Sequence, residues 1–198
     1  YEIAIDESSY STATSPYVIN FQSMGWSGDF EHIVHIKAMD CAGNYSAVSD
    51  VFIHRDQTAP TNVSILINDG RIATNNNQVT LTLSASDNLS GVSSMQFSNN
   101  GTNWSDPEPY SSTREDWPLA EGPDGLRTVY ARFIDNAENE SSVVSDDIRL
   151  DTVVPTINIT TPSGNEVFKS QITNTFRIEG TTQDNVGVSS VSIIVVPQ

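Results

Sequence analysis

Residues 29–61 and 124–156 carry the same frame twice. In each copy an Asp (Asp29, Asp124) precedes an alternating apolar run, and a second Asp (Asp40, Asp135) follows eleven residues after the first. An Asn stands four residues past that second Asp (Asn44, Asn139) and a third Asp sixteen past it (Asp56, Asp151). A Pro closes the frame four residues later (Pro60, Pro155). Five positions held in one register define an internal period of about 95 residues, so the chain is built from units that each repeat one supersecondary plan. With 198 residues there is room for about two of them.

The pattern inside the units is that of strands. Ile33, His35 and Lys37 alternate with Val34, Ile36 and Ala38, and Val79, Leu81 and Leu83 alternate with Thr80, Thr82 and Ser84. Period-two alternation is the signature of antiparallel strands with one face buried. It predicts strands over 1–6, 17–21, 31–40 and 50–56. It continues with strands over 63–67, 78–85, 93–98, near 117–119, 126–135 and 145–150, and finally over 156–160, 173–179 and 188–196. No stretch has a helical period, so the expected class is all-β. Six or seven short strands per unit, separated by polar turns, suggest an immunoglobulin-like sandwich. On that plan residues 57–151 make one complete unit, residues 1–56 the later half of another (strands C to G), and residues 152–198 the earlier half of a third (strands A to C).

A net charge of −16 and a pI near 4.2 argue against a nucleic-acid partner, which needs a basic surface. They favour divalent cations instead. The single cysteine, Cys41, excludes an internal disulfide framework, and a small, partly buried side chain is expected there. No apolar run approaches a membrane span, and no leader precedes the first strand, so the start is expected to be mature, processed or cut from something longer.

Several runs together resemble the tandem bacterial Ig-like domains of large cell-surface and secreted proteins, of adhesin or surface-layer type. They are Leu81 to Val92 with Asp87 and Gly91, Met95 to Ser105 with Trp104, Pro109-Tyr110, and Arg127 to Phe133. The linker Asp56 to Thr61 and the turn Asp40 to Asn44 belong to the same pattern. The resemblance implies a fold and a tandem architecture. It implies little about activity, because such modules occur in adhesins, surface layers and polysaccharide-degrading enzymes alike. Two departures stand out: Glu138 occupies a turn position where the pattern has Gly, and Val153-Val154 replaces Thr-Ala in the last linker. A Gly at the turn implies a left-handed backbone, which Glu tolerates less well.

In such a sandwich the B–C loop, the F–G turn and the start of strand A share one pole. For the middle unit this gathers Asp56, Asp87, Asn88, Asp135, Asn136 and Asn139, an oxygen-rich set that suits Ca²⁺. Asp151 and Asp184 would found an equivalent site in the last unit, and some relatives of the resembled family bind calcium at such junctions. The competing explanation is that Asp and Asn at loop starts bond their own backbone with no metal present. Clustered carboxylates repel without a cation, which favours the metal. Pro60 and Pro155 stiffen the linkers by fixing φ and holding the preceding residue extended. Trp26, Trp104 and Trp117 lack the spacing of a sugar-stacking face, and Trp117 is expected to cap the core. His32, His35 and His54 lie on strands with no nucleophile motif or metal spacing nearby, so no enzyme is expected. Asn-x-Ser/Thr triplets at Asn44, Asn62, Asn88, Asn100, Asn103, Asn139 and Asn158 permit glycosylation without establishing it.

The expected function is therefore structural: a stalk or fibre segment outside the cell, with neighbouring repeats of the same chain or identical subunits as partners. Two alternatives remain open. Half-units could complete one another between molecules by strand addition, giving a head-to-tail filament. Or the chain could be an adhesive or carbohydrate-binding module with a surface glycan or protein ligand.

Overall fold

The computed structural model describes residues 2–5, 11–12, 18, 24–164 and 177–195. These form β1 (Glu2–Ile5), β2 (Ser11–Thr12), β3 (Phe30–Lys37), β4 (Ser49–Arg55), β5 (Thr61–Ile67), β6 (Ala73–Thr74) and β7 (Gln78–Ser86). There follow β8 (Val92–Ser98), β9 (Glu108–Pro109), β10 (Thr113–Pro118), β11 (Gly125–Asp135), β12 (Val144–Leu150), β13 (Thr156–Thr161) and β14 (Glu179–Gln183). Among the described residues the one helical element is a 3₁₀ turn at Asn68–Gly70. The class is all-β, and among the described residues no helix is long and apolar enough to cross a membrane.

Two sheets in the order β10-β7-β5 and β6-β12-β11-β8-β9 face each other as a sandwich. The alternation in β7 places Val79, Leu81 and Leu83 on the inner face. Opposite them β11 presents Val129, Ala131 and Phe133, and β8 presents Met95 and Phe97. Ile65, Ile67, Leu119 and Ile148 complete one contiguous core. Each large apolar side chain buried there contributes about 1.5–3 kcal/mol relative to exposure, which is what a sandwich with no disulfide has to rely on. Trp117 packs its ring against Phe97 with centroids 5.3 Å apart and donates Nε1–H to Asn99, capping the core as expected. Trp104 lies under the Arg132 guanidinium, 4.6 Å from its ring centroid.

The repeat is visible as identical pairing. β3 and β4 align Phe30 with Arg55 and Ile36 with Ser49, while β11 and β12 align Gly125 with Leu150 and Ala131 with Val144. Every pair in the first hairpin maps onto a pair in the second at the repeat period. β13 and β14 repeat the pairing of the start of β5 with the end of β7: Thr156 faces Gln183 as Thr61 faces Ser86. In both, the Thr hydroxyl donates to the carbonyl opposite, at 3.3 and 3.4 Å.

Several expectations are corrected. Residues 188–195 are not a strand, because a strand exists by pairing and no described residue pairs with them. The strand expected over 173–179 is β14, four residues later at its far end; residues 173–176, like 17 and 19–21, lie outside the described set. Cys41 is exposed rather than partly buried. The strand near Trp117 is longer than expected and carries a bulge between Arg114 and Trp117, with Asp116 at φ +54°.

Candidate metal centre at the linker pole

β4 ends at Arg55, and the linker that follows runs into β5 at one pole of the sandwich. β7 delivers Asp87 to the same pole, and β11 delivers Asp135. One carboxylate oxygen from each of Asp56, Asp87 and Asp135 lies within 4.8 Å of the other two. Asp135 is 1% exposed, while Asp56 and Asp87 are half-buried. The sequence placed these three together through the sandwich topology, and the structure does the same.

Each carboxylate also organises its own loop. Asp135 Oδ1 accepts the amides of Ala137 and Asn139 at 2.8 and 2.9 Å, and its Oδ2 accepts Asn139 Nδ2–H. The first repeat does the same at Asp40, which accepts the amides of Ala42 and Asn44 and the Asn44 side-chain amide, each at 2.9 Å. That is why the Asp and Asn stand four apart in both copies: the pair closes the turn on itself. Asp87 Oδ1 takes the amides of Leu89 and Gly91. Asp184 Oδ1 likewise takes those of Val186 and Gly187.

The loops are then fastened to the linker. Ser90 donates its amide to Asp56 Oδ2 at 3.1 Å, and Asn139 Nδ2 donates to the Asp56 carbonyl at 3.3 Å. Asn136 Nδ2 donates to the carbonyls of Ser90 and Gly91, joining the F–G turn to the B–C loop. The nearby Ser90 hydroxyl, then burial acting in the opposite sense, then the amides of Thr58 and Ser90 leave the Asp56 carboxyl below its ordinary pKa of 3.8. Yet that hydroxyl has no partner at hydrogen-bond geometry, and neither has the buried Oδ2 of Asp87. A buried carboxylate oxygen without a donor, among three acidic groups, is costly unless a cation or proton meets it. Three carboxylates, one of them with an oxygen that no donor meets, are hard ligands and suit Ca²⁺ better than a softer metal.

The remaining candidates divide. Asn139 and Asn136 border the cluster through the bonds above, and Asn88 lies exposed beside Asp87. Asp151 accepts the Val153 amide at 3.2 Å. Neither it nor Asp184 joins a group of three acidic or imidazole side chains among the described residues.

Two positions that bond a linker were given no role from the sequence. Asp29 Oδ1 accepts the Gln57 amide at 2.7 Å, and its Oδ2 accepts the Thr58 hydroxyl. Asp124 accepts the amide and hydroxyl of Thr152 at 2.7 and 2.9 Å. Both Asp residues latch the linker that leaves their own unit. Their fixed distance ahead of the linker was the available signal. Comparison of the chain with family models finds no match, and comparison with curated proteins finds none either.

Proposed function

We propose that this chain is a non-catalytic run of tandem immunoglobulin-like units, resembling those of bacterial surface and secreted proteins, which serves outside the cell as a stiff spacer. Residues 57–151 are its complete unit, with the later half of one unit before it and the earlier half of another after it. The observation that carries the reading is the double fastening of the linker. Residues 56–58 are bonded backward to Asp29 and forward to Ser90 and Asn139. A free hinge needs none of these bonds, and a spacer that must hold an angle needs them on both sides. The three histidines are compatible with a non-catalytic role, since each is engaged by a neighbour, two across the β3–β4 pair and His32 by Trp26 in the segment before β3. His35 meets Asp50 at 2.6 Å, His54 meets Glu31 at 2.8 Å, and His32 stacks on Trp26.

Ca²⁺ at Asp56, Asp87 and Asp135 would stiffen the junction further by cross-linking the linker to both loops. Titrating Ca²⁺ into the metal-stripped chain in a calorimeter tests this. A heat of binding is expected, together with a rise in melting temperature that Asp56→Ala and Asp87→Ala both abolish. No heat, with Asp56→Ala melting where the wild type does, would remove the cation from the proposal and leave the hydrogen-bonded latch alone.

A further inference from the structure

At the pole of the central sandwich opposite the acidic cluster, β5 gives way to the turn Asn68–Gly70, and the chain then crosses to β6. The turn is left-handed: φ is +47° at Asn68, +56° at Asp69 and +80° at Gly70. L residues visit that region singly and seldom in succession. Two side-chain bonds hold them there. Asn68 Oδ1 accepts the Thr80 amide at 2.9 Å, one step past the last β5–β7 pair at Ile67 and Leu81, and Asp69 Oδ1 accepts the Thr82 hydroxyl at 2.8 Å. The sandwich plan does not prescribe this turn, since one period later Ser163 and Gly164 stand in place of Asn68 and Asp69. Backbone strain that its surroundings hold in place directs attention to what the segment faces.

It faces a cleft of about 590 Å³, within the range of small-ligand sites. Asn68, Asp69, Arg71 and Thr80 line the cleft, together with Asn75 and Asp151, which follow β6 and β12 and are held near each other by that pairing. Its polar groups are only partly used. Asp69 spends one carboxylate oxygen on Thr82, and Asp151 spends one on the Val153 amide. The Arg71 guanidinium and the Asn75 side-chain amide have no hydrogen-bond or ion-pair partner among the described residues. The charges exclude most classes of ligand. Two carboxylates against one guanidinium repel a phosphate or other anion. Arg71 in turn opposes a cation, and neither Asp belongs to a group of three metal-binding side chains among the described residues. A wholly apolar ligand would strip water from these groups and leave them unmet. A hydroxyl meets both kinds, donating to a carboxylate while accepting from a guanidinium or amide. Ile72, between two residues that line the cleft, is 87% exposed and offers an apolar surface for the C–H groups of a sugar ring. We infer that this cleft binds a neutral saccharide, held through its hydroxyls by Asp69, Arg71, Asn75 and Asp151. Such binding goes beyond a spacer role and does not rest on it, because every group involved belongs to the central sandwich.

The test is NMR titration of the isotopically labelled full chain with the methyl glycosides of glucose, mannose, galactose and N-acetylglucosamine. Each is taken to about 50 mM, because a site with few contacts binds in the millimolar range. With at least one of them the amides of Asp69, Arg71 and Thr80 are expected to shift and saturate. Arg71→Ala removes an exposed side chain and should weaken that binding about tenfold, the worth of one hydrogen bond to a charged group. Asp69→Asn keeps an oxygen for the Thr82 hydroxyl, loses the charge, and is expected to weaken binding as well. The inference is overturned if none of the four sugars gives a saturating shift, if both variants bind as the wild type does, or if the shifts gather around Trp104 instead. It is overturned too if inorganic phosphate or Ca²⁺ shifts the same amides more strongly at equal concentration. Failure of the spacer reading would show elsewhere, as a freely bending linker in scattering, and would leave these titrations as they are.

Discussion

Glu138 illustrates what one residue can cost a turn. It sits at φ +68°, where the first repeat places Gly43 at φ +89°. The left-handed backbone follows from the two bonds that Asp135 makes to the amides of Ala137 and Asn139, which curl the chain regardless of what occupies the position between them. An L side chain there is strained by about 1–2 kcal/mol, and glycine would return part of that gain as unfolded-state entropy. Glu138→Gly is therefore expected to stabilise the central sandwich by about 0.5–1 kcal/mol, read as a higher urea midpoint with an unchanged slope. A lower midpoint would mean that the Glu138 side chain makes a compensating contact. The anomaly was readable in the sequence because the repeat supplies its own reference, one copy against the other.

At the scale of elements, strands and loops rest on different physics and respond to different perturbations. The strands of the central sandwich depend on apolar burial, which pH hardly touches. The loops depend on carboxylates. Asn44's side-chain and backbone amides lower the pKa of Asp40, and the Thr152 amide lowers that of Asp124. The Gly187 and Val186 amides do so for Asp184, as Ser90 does for Asp56. A carboxyl whose folded pKa is depressed contributes stability that is fully present above its unfolded value and lost as pH falls through the folded one. Loop order is therefore expected to hold down to about pH 3.8 and to fade below it while the sheets persist. The amide resonances of Asn44, Thr152 and Gly187 should titrate with midpoints under that value; midpoints at or above it would refute the loop-bonding account. The same division explains what could be read in advance. The β3–β4 and β11–β12 hairpins were visible because alternation is a local property. β6 has two residues and exists only because β12 passes beside it, so nothing local announces it. Residues 188–195 have the composition of a strand but no pairing partner among the described residues, and composition alone does not make one. The acidic cluster was foreseeable from repeat position combined with topology. Ser90 was not, since its part depends on how the B–C loop turns back toward the linker.

For the molecule as a whole, the question is whether its units move independently. The linker at residues 56–60 is short, enters β5 through Pro60, and is bonded on both sides, so its direction is set by contacts rather than by chance. Its backward side is the simpler one to release, because Asp29 supplies both bonds from outside the acidic cluster and outside the core. Asp29→Ala should shift the ratio of latched to free linker by roughly tenfold, allowing for the solvent screening of exposed bonds. Small-angle scattering would then show a broader distribution of interatomic distances than the wild type, while the melting of the central sandwich stays where it was. Asp29→Asn, which retains one acceptor oxygen, should fall between the two. If Asp29→Ala scatters as the wild type does, the forward bonds to Ser90 and Asn139 hold the angle alone, and stiffness would belong to the pole of the central sandwich. If the wild type is already as broad as the variant, the linker is a hinge, and the spacer would have to be flexible rather than stiff.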